Sequence, residues 1–200
     1  KLIEILKTGV SYVGHESGAK IAGFNLEGPF ISMSKKGAQN AKYVRGGTVE
    51  EFGELFKASK EMVKLITIAP ESFESDDFIK EVSKVCRVSI GHSCADSFET
   101  QKAIEKGITH ATHLFNAMTP MTHREAGIVG TVLDSKNVMC ELICDGGHIS
   151  PIVLRNAFKI LGENRGIVVS DSMKGAGVGA GKYDLGGQDA YVLENAKYAT

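Results

Sequence analysis

Apolar and polar positions along the chain switch repeatedly between a helical and a strand period. Residues Lys1 to Gly9 carry a helical spacing, and Lys20 to Phe30 run into a first strand that ends in Leu26-Glu27-Gly28-Pro29-Phe30. Thr48 to Lys64 reads as an amphipathic helix. Thr48 and Glu51 form a capping box there, and Phe52, Leu55, Phe56, Met62 and Val63 make the apolar side. Leu65 to Ala69 is a strand closed by Pro70, and Ser75 to Val85 a helix capped by Ser75 with acids in its first turn. Arg87 to Ile90 is a strand leading to His92, and Ala95 to Lys106 a helix stopped by Gly107. Ile108 to Phe115 is a strand carrying His113. The long loop after it shows no clear secondary structure. Val138 to Cys144 is a strand leading into Asp145-Gly146-Gly147-His148. Pro151 to Leu161 is a helix with Ser150 as cap, and Gly166 to Ser170 a strand ending at Asp171.

About six strands alternating with helices predict a parallel sheet, and their nearly continuous apolar character predicts that both faces are covered. A doubly wound open sheet and a (β/α)₈ barrel both fit that order. Polar residues collect at the C-terminal ends of most of these strands, the habit of a barrel, whose mouth gathers groups from many strands. The expected fold class is therefore α/β, a partial (β/α)₈ barrel of about six units. All of residues 1–200 belong to one catalytic domain. Gly175-Ala176-Gly177-Val178-Gly179-Ala180 satisfies a loose dinucleotide-binding pattern, but the turn-rich Gly181 to Gly187 and a strand-like Ala190 to Leu193 follow it instead of a helix. A loop over the barrel mouth, or a hairpin-like end, is expected there. The first residue is not methionine and Tyr198-Ala199-Thr200 falls inside what reads as an element, so a central fragment of a longer barrel is expected.

Composition narrows the function. The formal net charge of -1 gives no basic stripe for nucleic acid, and no apolar run is long enough to span a membrane. Cys86, Cys94, Cys140 and Cys144 form no Cys-x-x-Cys pair and read as reduced thiols of a cytoplasmic protein.

The candidate chemistry sits at strand ends. Glu27 lies among Phe24, Leu26, Pro29 and Phe30, where an unpaired charge is costly, so it is either salt-bridged or bound to a cation. His92 and His113 each fit a hydrogen-bonded structural histidine or a ligand. Together with Glu27 they form an open metal site suited to Zn²⁺ or Fe²⁺. Strict alternation sends His110 to the opposite face from His113, toward the helices. Asp171 is a general base or a turn cap. His148 is placed to bind substrate or polarise a carbonyl, and Asp145 to close its turn. Arg124 is an anion ligand or an ordinary surface arginine.

Taken together, Leu26-Glu27-Gly28-Pro29-Phe30, Gly91-His92-Ser93, Ala111-Thr112-His113-Leu114-Phe115-Asn116-Ala117-Met118, Asp145-Gly146-Gly147-His148 and Val169-Ser170-Asp171-Ser172-Met173 resemble the N-acetylglucosamine-6-phosphate deacetylase family of metal-dependent amidohydrolases, from about Gly23 onward. The resemblance implies that Glu27, His92 and His113 bind a divalent metal, Zn or Fe, as one ion or two. It implies Asp171 as general base and then acid, and His148 as a contact to substrate and carbonyl. Asn116, the backbone at Ala117, and Arg124 would hold a sugar phosphate, with Arg124 reaching across a homodimer. It implies hydrolysis of the acetamide of N-acetylglucosamine 6-phosphate. Another amidohydrolase acting on a different, for instance cyclic, amide is the alternative. One departure is that Asn25 stands where the family often has histidine. The family's His-x-His strand, its C-terminal strands and its small β-sandwich are not in the sequence.

Overall fold

The computed structural model describes residues 1–73 and 77–194. Its helices are α1 (Leu2–Tyr12), α2 (Val49–Ala58), α3 (Asp77–Val82), α4 (Ser97–Lys106), α5 (Gly127–Asp134) and α6 (Pro151–Arg165). Its strands are β1 (Phe24–Glu27), β2 (Val63–Ile68), β3 (Arg87–Ile90), β4 (Ile108–Ala111), β5 (Met139–Ile143), β6 (Gly166–Val169), β7 (Gly181–Leu185) and β8 (Gln188–Val192). Strands β1 to β6 form one parallel sheet in strict chain order. A doubly wound sheet would reverse direction at a switch point. Unbroken sequential order with a helix in every crossover is the winding of a barrel, and the sheet curls as a half-barrel.

The two faces of the sheet differ in chemistry. Leu26, Ile66, Val88, Ile90, Cys140 and Leu142 point toward the helices and join Phe52, Phe78, Ala103, Val132 and Leu161 in one buried core. The inner face is polar. Glu27 pairs across to Thr67, Thr67 to Ser89, and Ser89 to His110. The Thr112 hydroxyl links this row, 2.8 Å from that of Thr67 and 2.6 Å from that of Ser89, all three residues fully buried. Each hydroxyl is satisfied by its neighbour, which is what makes a buried polar layer tolerable.

His110 departs from the expected orientation. Val88 pairs with Ile108, but Ser89 pairs with His110 and Ile90 with Ala111. Thr109 is thus an extra residue in β4, and one extra residue reverses the alternation beyond it. His110 shares the inner face with Ser89, and its Nε2 lies 3.0 Å from Glu141 Oε1. Strand β4 also ends at Ala111, so His113 lies beyond it rather than within it.

Other boundaries move for local reasons. Helix α2 stops at Ala58 because Lys60 and Glu61 take φ of 51° and 62°, which frees Val63 to begin β2. Only half of the Thr48–Glu51 box forms. Thr48 accepts from the Glu51 backbone N–H, while the Glu51 carboxylate is paired with Arg45. A reciprocal box forms instead between Asp96 and Glu99, opening α4 two residues later than expected. The expected Ser75 cap lies outside the described residues. Helix α5 was not foreseen. Its buried Ile128, Val129, Val132 and Leu133 leave too little polar face for a helical period to register. The Arg165 guanidinium fastens it, donating to the carbonyls of Val132, Leu133, Ser135 and Val138. Gly162, at φ 66°, breaks α6 after Leu161, where the helix was expected to end.

Strands β7 and β8 form the expected hairpin, turned by Gly186 and Gly187 at φ of 62° and 88°. Among the described residues a hairpin and no helix follows the glycine run, so it lacks the dinucleotide-binding context. Among the described residues no helix is long and apolar enough to cross a membrane.

Exposed Lys60 occupies the left-handed position just past a helix, where glycine is free of the steric penalty. Lys60→Gly is expected to raise stability by about 0.5–1 kcal/mol, the left-handed penalty less the entropy of glycine. The measurement is urea unfolding, and a lower midpoint would contradict it.

Candidate metal centre

Three of the side chains singled out by the sequence share one local design. His92, His113 and Asp171 each lie two residues beyond the end of their strand, at φ of 49°, 31° and 48°. A side chain other than glycine in this region costs about 1–3 kcal/mol, and such residues concentrate at functional sites. The abrupt turn throws each side chain inward across the strand end. Glu27, the last residue of β1, completes the group.

The three proposed ligands converge. His92 Nε2 lies 2.9 Å and His113 Nε2 3.5 Å from Glu27 Oε1, and the two Nε2 atoms are 3.0 Å apart. A tetrahedral cation with bonds of about 2.0–2.1 Å sets its donors roughly 3.3 Å apart, so these separations match what one ion requires. The donor set of two imidazoles and a carboxylate is also that of an open zinc or iron site. The Lys35 carbonyl can only accept, so it takes the His92 Nδ1–H at 2.7 Å, and a cation would bind Nε2 once the proton that Nε2 shares with Glu27 has left. His113 Nδ1 is buried with no hydrogen-bond partner among the described residues.

The electrostatics express the same convergence. Burial alone would raise the Glu27 carboxyl, but hydrogen bonds from His113 and His92 and their charges outweigh it and hold it well below the usual carboxylate range. Burial would lower His113, yet Glu27, with help from Asp171, lifts it above the ordinary imidazole value. Burial and then the Glu27 charge raise Asp171. Negative charge is concentrated here, and it favours the protonated form of His113.

A cleft of about 350 Å³ opens beside these groups, lined by Asn25, Glu27, His113, Glu141 and the Ser170-Asp171-Ser172 turn. His148 is close enough for its charge to act on Asp171. Asp145 closes the His148 turn, as expected: its Oδ1 accepts from the Gly147 and His148 N–H groups at 2.8 and 2.9 Å. Its Oδ2 also takes His148 Nδ1 at 2.7 Å, so it orients the ring as well. The backbone donors of His148 and Gly147, with the His148 ring, hold Asp145 at about 2.

The remaining predicted residues sit farther out. Asn116 donates its amide to the His113 carbonyl at 3.1 Å and so braces the loop that carries that ligand. Ala117, at φ 52°, accepts from the Ser93 N–H at 3.1 Å and joins that loop to the His92 turn. Arg124 is exposed, and its guanidinium bonds to none of the described residues. The structure does not bring it to the three ligands.

Two supporting residues were not foreseen. Glu71 accepts from the Ser93 hydroxyl at 2.6 Å and the Cys94 N–H at 2.5 Å, fixing the turn after His92. Buried Glu141 accepts from His110 and from the His113 N–H. Its lone charge between Cys140 and Leu142 was a legible signal, the same one that marked Glu27.

No protein-family model matches the chain. It is 38% identical over 176 residues to the N-acetylglucosamine-6-phosphate deacetylase of Bacillus subtilis, covering 88% of this chain and 44% of that one. It is also 38% identical over 157 residues to the N-acetylgalactosamine-6-phosphate deacetylase of a Shewanella species, covering 78% of this chain and 40% of that one. Among solved structures, an N-acetyl-D-glucosamine-6-phosphate deacetylase mutant of Mycobacterium smegmatis, in complex with N-acetyl-D-glucosamine-6-phosphate, superimposes with a TM-score of 0.90 at 31% identity. That match covers 96% of this chain and 50% of the other. The chain thus spans about half the length of the relatives it matches. Over that half, in sequence and in fold, it is a homologue of the N-acetylglucosamine-6-phosphate deacetylases.

Proposed function

We propose that this chain is the central part of a single barrel domain that hydrolyses the acetamide of N-acetylglucosamine 6-phosphate to glucosamine 6-phosphate and acetate. The observation that carries the reading is the convergence of Glu27, His92 and His113 beside Asp171 at the strand ends. Glu27 Oε1 and the two Nε2 atoms would hold one divalent ion, zinc or iron. A cation bound there supplies Lewis acidity, which polarises the amide carbonyl and makes water acidic enough to act as nucleophile near neutral pH.

The other steps belong to the protein. Asp171 accepts a proton from the attacking water and returns it to the amine nitrogen as the C–N bond breaks. Its elevated affinity for protons suits a group that must take one and give it back. His148, its ring held by Asp145, would donate an Nε2–H, in its imidazolium form, to the carbonyl oxygen as charge develops there. Asn116, the backbone at Ala117, and Arg124 position the sugar phosphate. The exposed guanidinium of Arg124, without a partner among the described residues, suits phosphate from its own or a neighbouring subunit of a homodimer. The free thiols fit a cytoplasmic protein, and the near-zero net charge gives no reason to invoke nucleic acid. The Shewanella relative is named for the galactosamine epimer, so both sugar phosphates are substrates to be compared.

Elemental analysis of the purified protein, with acetate release from each epimer, is the direct test. Bound zinc or iron with acetate release is expected, and a protein that binds no metal would overturn the reading. Asp171→Asn is expected to retain metal while kcat falls on the order of 10²-fold or more. An unchanged kcat would remove Asp171 from the chemistry. Metal binding must displace the proton on His113, whose affinity is raised above the ordinary value. Zinc affinity is therefore expected to be full at higher pH and to fall as pH drops through the His113 titration. Titrations from about pH 5 to 8 check this, and a flat profile would contradict it.

A further inference from the structure

We propose that Glu141 is the positioning residue for His113, holding that ligand through its backbone because its second ring nitrogen, Nδ1, has no partner among the described residues. The proposal rests on the metal-site reading above.

The two histidine ligands are secured differently. His92 is fixed at the ring by the Lys35 carbonyl and at the turn by Glu71, through Ser93 and Cys94. His113 has no such ring contact, since its Nδ1 is buried without a partner among the described residues. A metal-binding imidazole ordinarily gives its second nitrogen to a carbonyl or carboxylate, which fixes the ring. At His113 that restraint has to come from elsewhere, and its backbone sits at a strained φ of 31°.

Glu141 supplies it. The regular ladder between β4 and β5 ends with Ala111 opposite Cys140. Beyond that point the chain leaves the sheet, and residue 141 takes up the two amides that the ladder no longer pairs. Its side-chain Oε2 accepts from the His113 N–H at 3.2 Å, and its backbone carbonyl accepts from the Leu114 N–H at 2.7 Å. One residue thus grips both peptide groups that flank the His113 Cα and fixes the turn that aims the imidazole at Glu27.

His110 completes the device. The Thr109 bulge brings it to the inner face, where Nε2–H donates to Glu141 Oε1 at 3.0 Å. The carboxylate therefore has a donor on each oxygen and cannot swing away from His113 without abandoning one. Glu141 lines the cleft but is not among the three converging ligands, so its part is orientation.

The test compares wild type, Glu141→Gln and Glu141→Ala by zinc affinity and by the visible absorption of the cobalt-substituted protein, which reports ligand geometry. Both are read at a temperature where circular dichroism shows each variant folded. Glu141→Ala is expected to weaken zinc binding on the order of 10- to 100-fold and to shift the cobalt bands. Glu141→Gln keeps one acceptor oxygen for two donors and is expected to fall between. Unchanged affinity and unchanged bands in both variants would overturn the proposal while leaving the metal site standing. If Glu141→Ala does not fold, Glu141→Gln alone decides: unchanged affinity and bands overturn the proposal, and weakened binding with shifted bands supports it. If wild type itself binds neither metal, the metal-site reading falls and the positioning role with it.

Discussion

Glu27 Oε1, His92 Nε2 and His113 Nε2 are electron-rich atoms within 3.5 Å of one another, in a largely buried place. Bare lone pairs on all three would repel, so a proton or a cation has to stand among them, and the hydrogen bonds of the two imidazoles to Glu27 are the protonated form of that compensation. The fold brings them together nonetheless, against the added strain of left-handed backbone at both histidines. Much of the inner face can be understood as the scaffold for that confrontation. Lys35 and Glu71 hold His92, while Glu141 and Asn116 hold the His113 loop. Three bare lone pairs in a buried place would be an unfavourable arrangement. A proton on His113 relieves part of the repulsion, and a divalent cation would relieve more.

The layering follows from where these polar groups can be kept. The helix-facing side of the sheet is a continuous apolar core, so the curl and spacing of the strands are set by packing there. The inner side can then be given over to hydroxyls, imidazoles and carboxylates, provided each finds a partner. Thr67, Ser89 and Thr112 form one satisfied group, and the Glu141 carboxylate is met by His110 Nε2 and the His113 N–H, while His110 Nδ1 is buried without a partner among the described residues. Stability and chemistry are thereby assigned to opposite faces of the same short strands.

Much of this was legible in the sequence because barrels signal themselves twice, in the alternation of elements and in the polar residues at strand ends. Glu27, His92, His113 and Asp171 were singled out by position, each at or just past a strand end, and the structure brings the first three within reach of one another. What escaped did so for physical reasons. Helix α5 is buried on too many sides to display a period. The end of α2 depends on two left-handed residues, Lys60 and Glu61, of types that seldom adopt that conformation. Glu51 was diverted to Arg45, a partner outside the capping pattern. Glu141 carried the same signal as Glu27, a lone charge in an apolar run, but its partners come from a different strand and a different turn.

Thr109 shows how the inner face is encoded. Nothing about its side chain distinguishes it, and it is exposed. Its contribution is to be counted: it sets the parity of β4, and parity decides whether an imidazole or an alanine faces the interior. Part of the site's specification is therefore arithmetic rather than chemical, written in the length of a strand. Among relatives of this chain, a gap placed one residue off within β4 would exchange interior for exterior while leaving every residue type plausible. Equivalent positions there are better defined by which residue faces Ser89 than by which residue aligns with which.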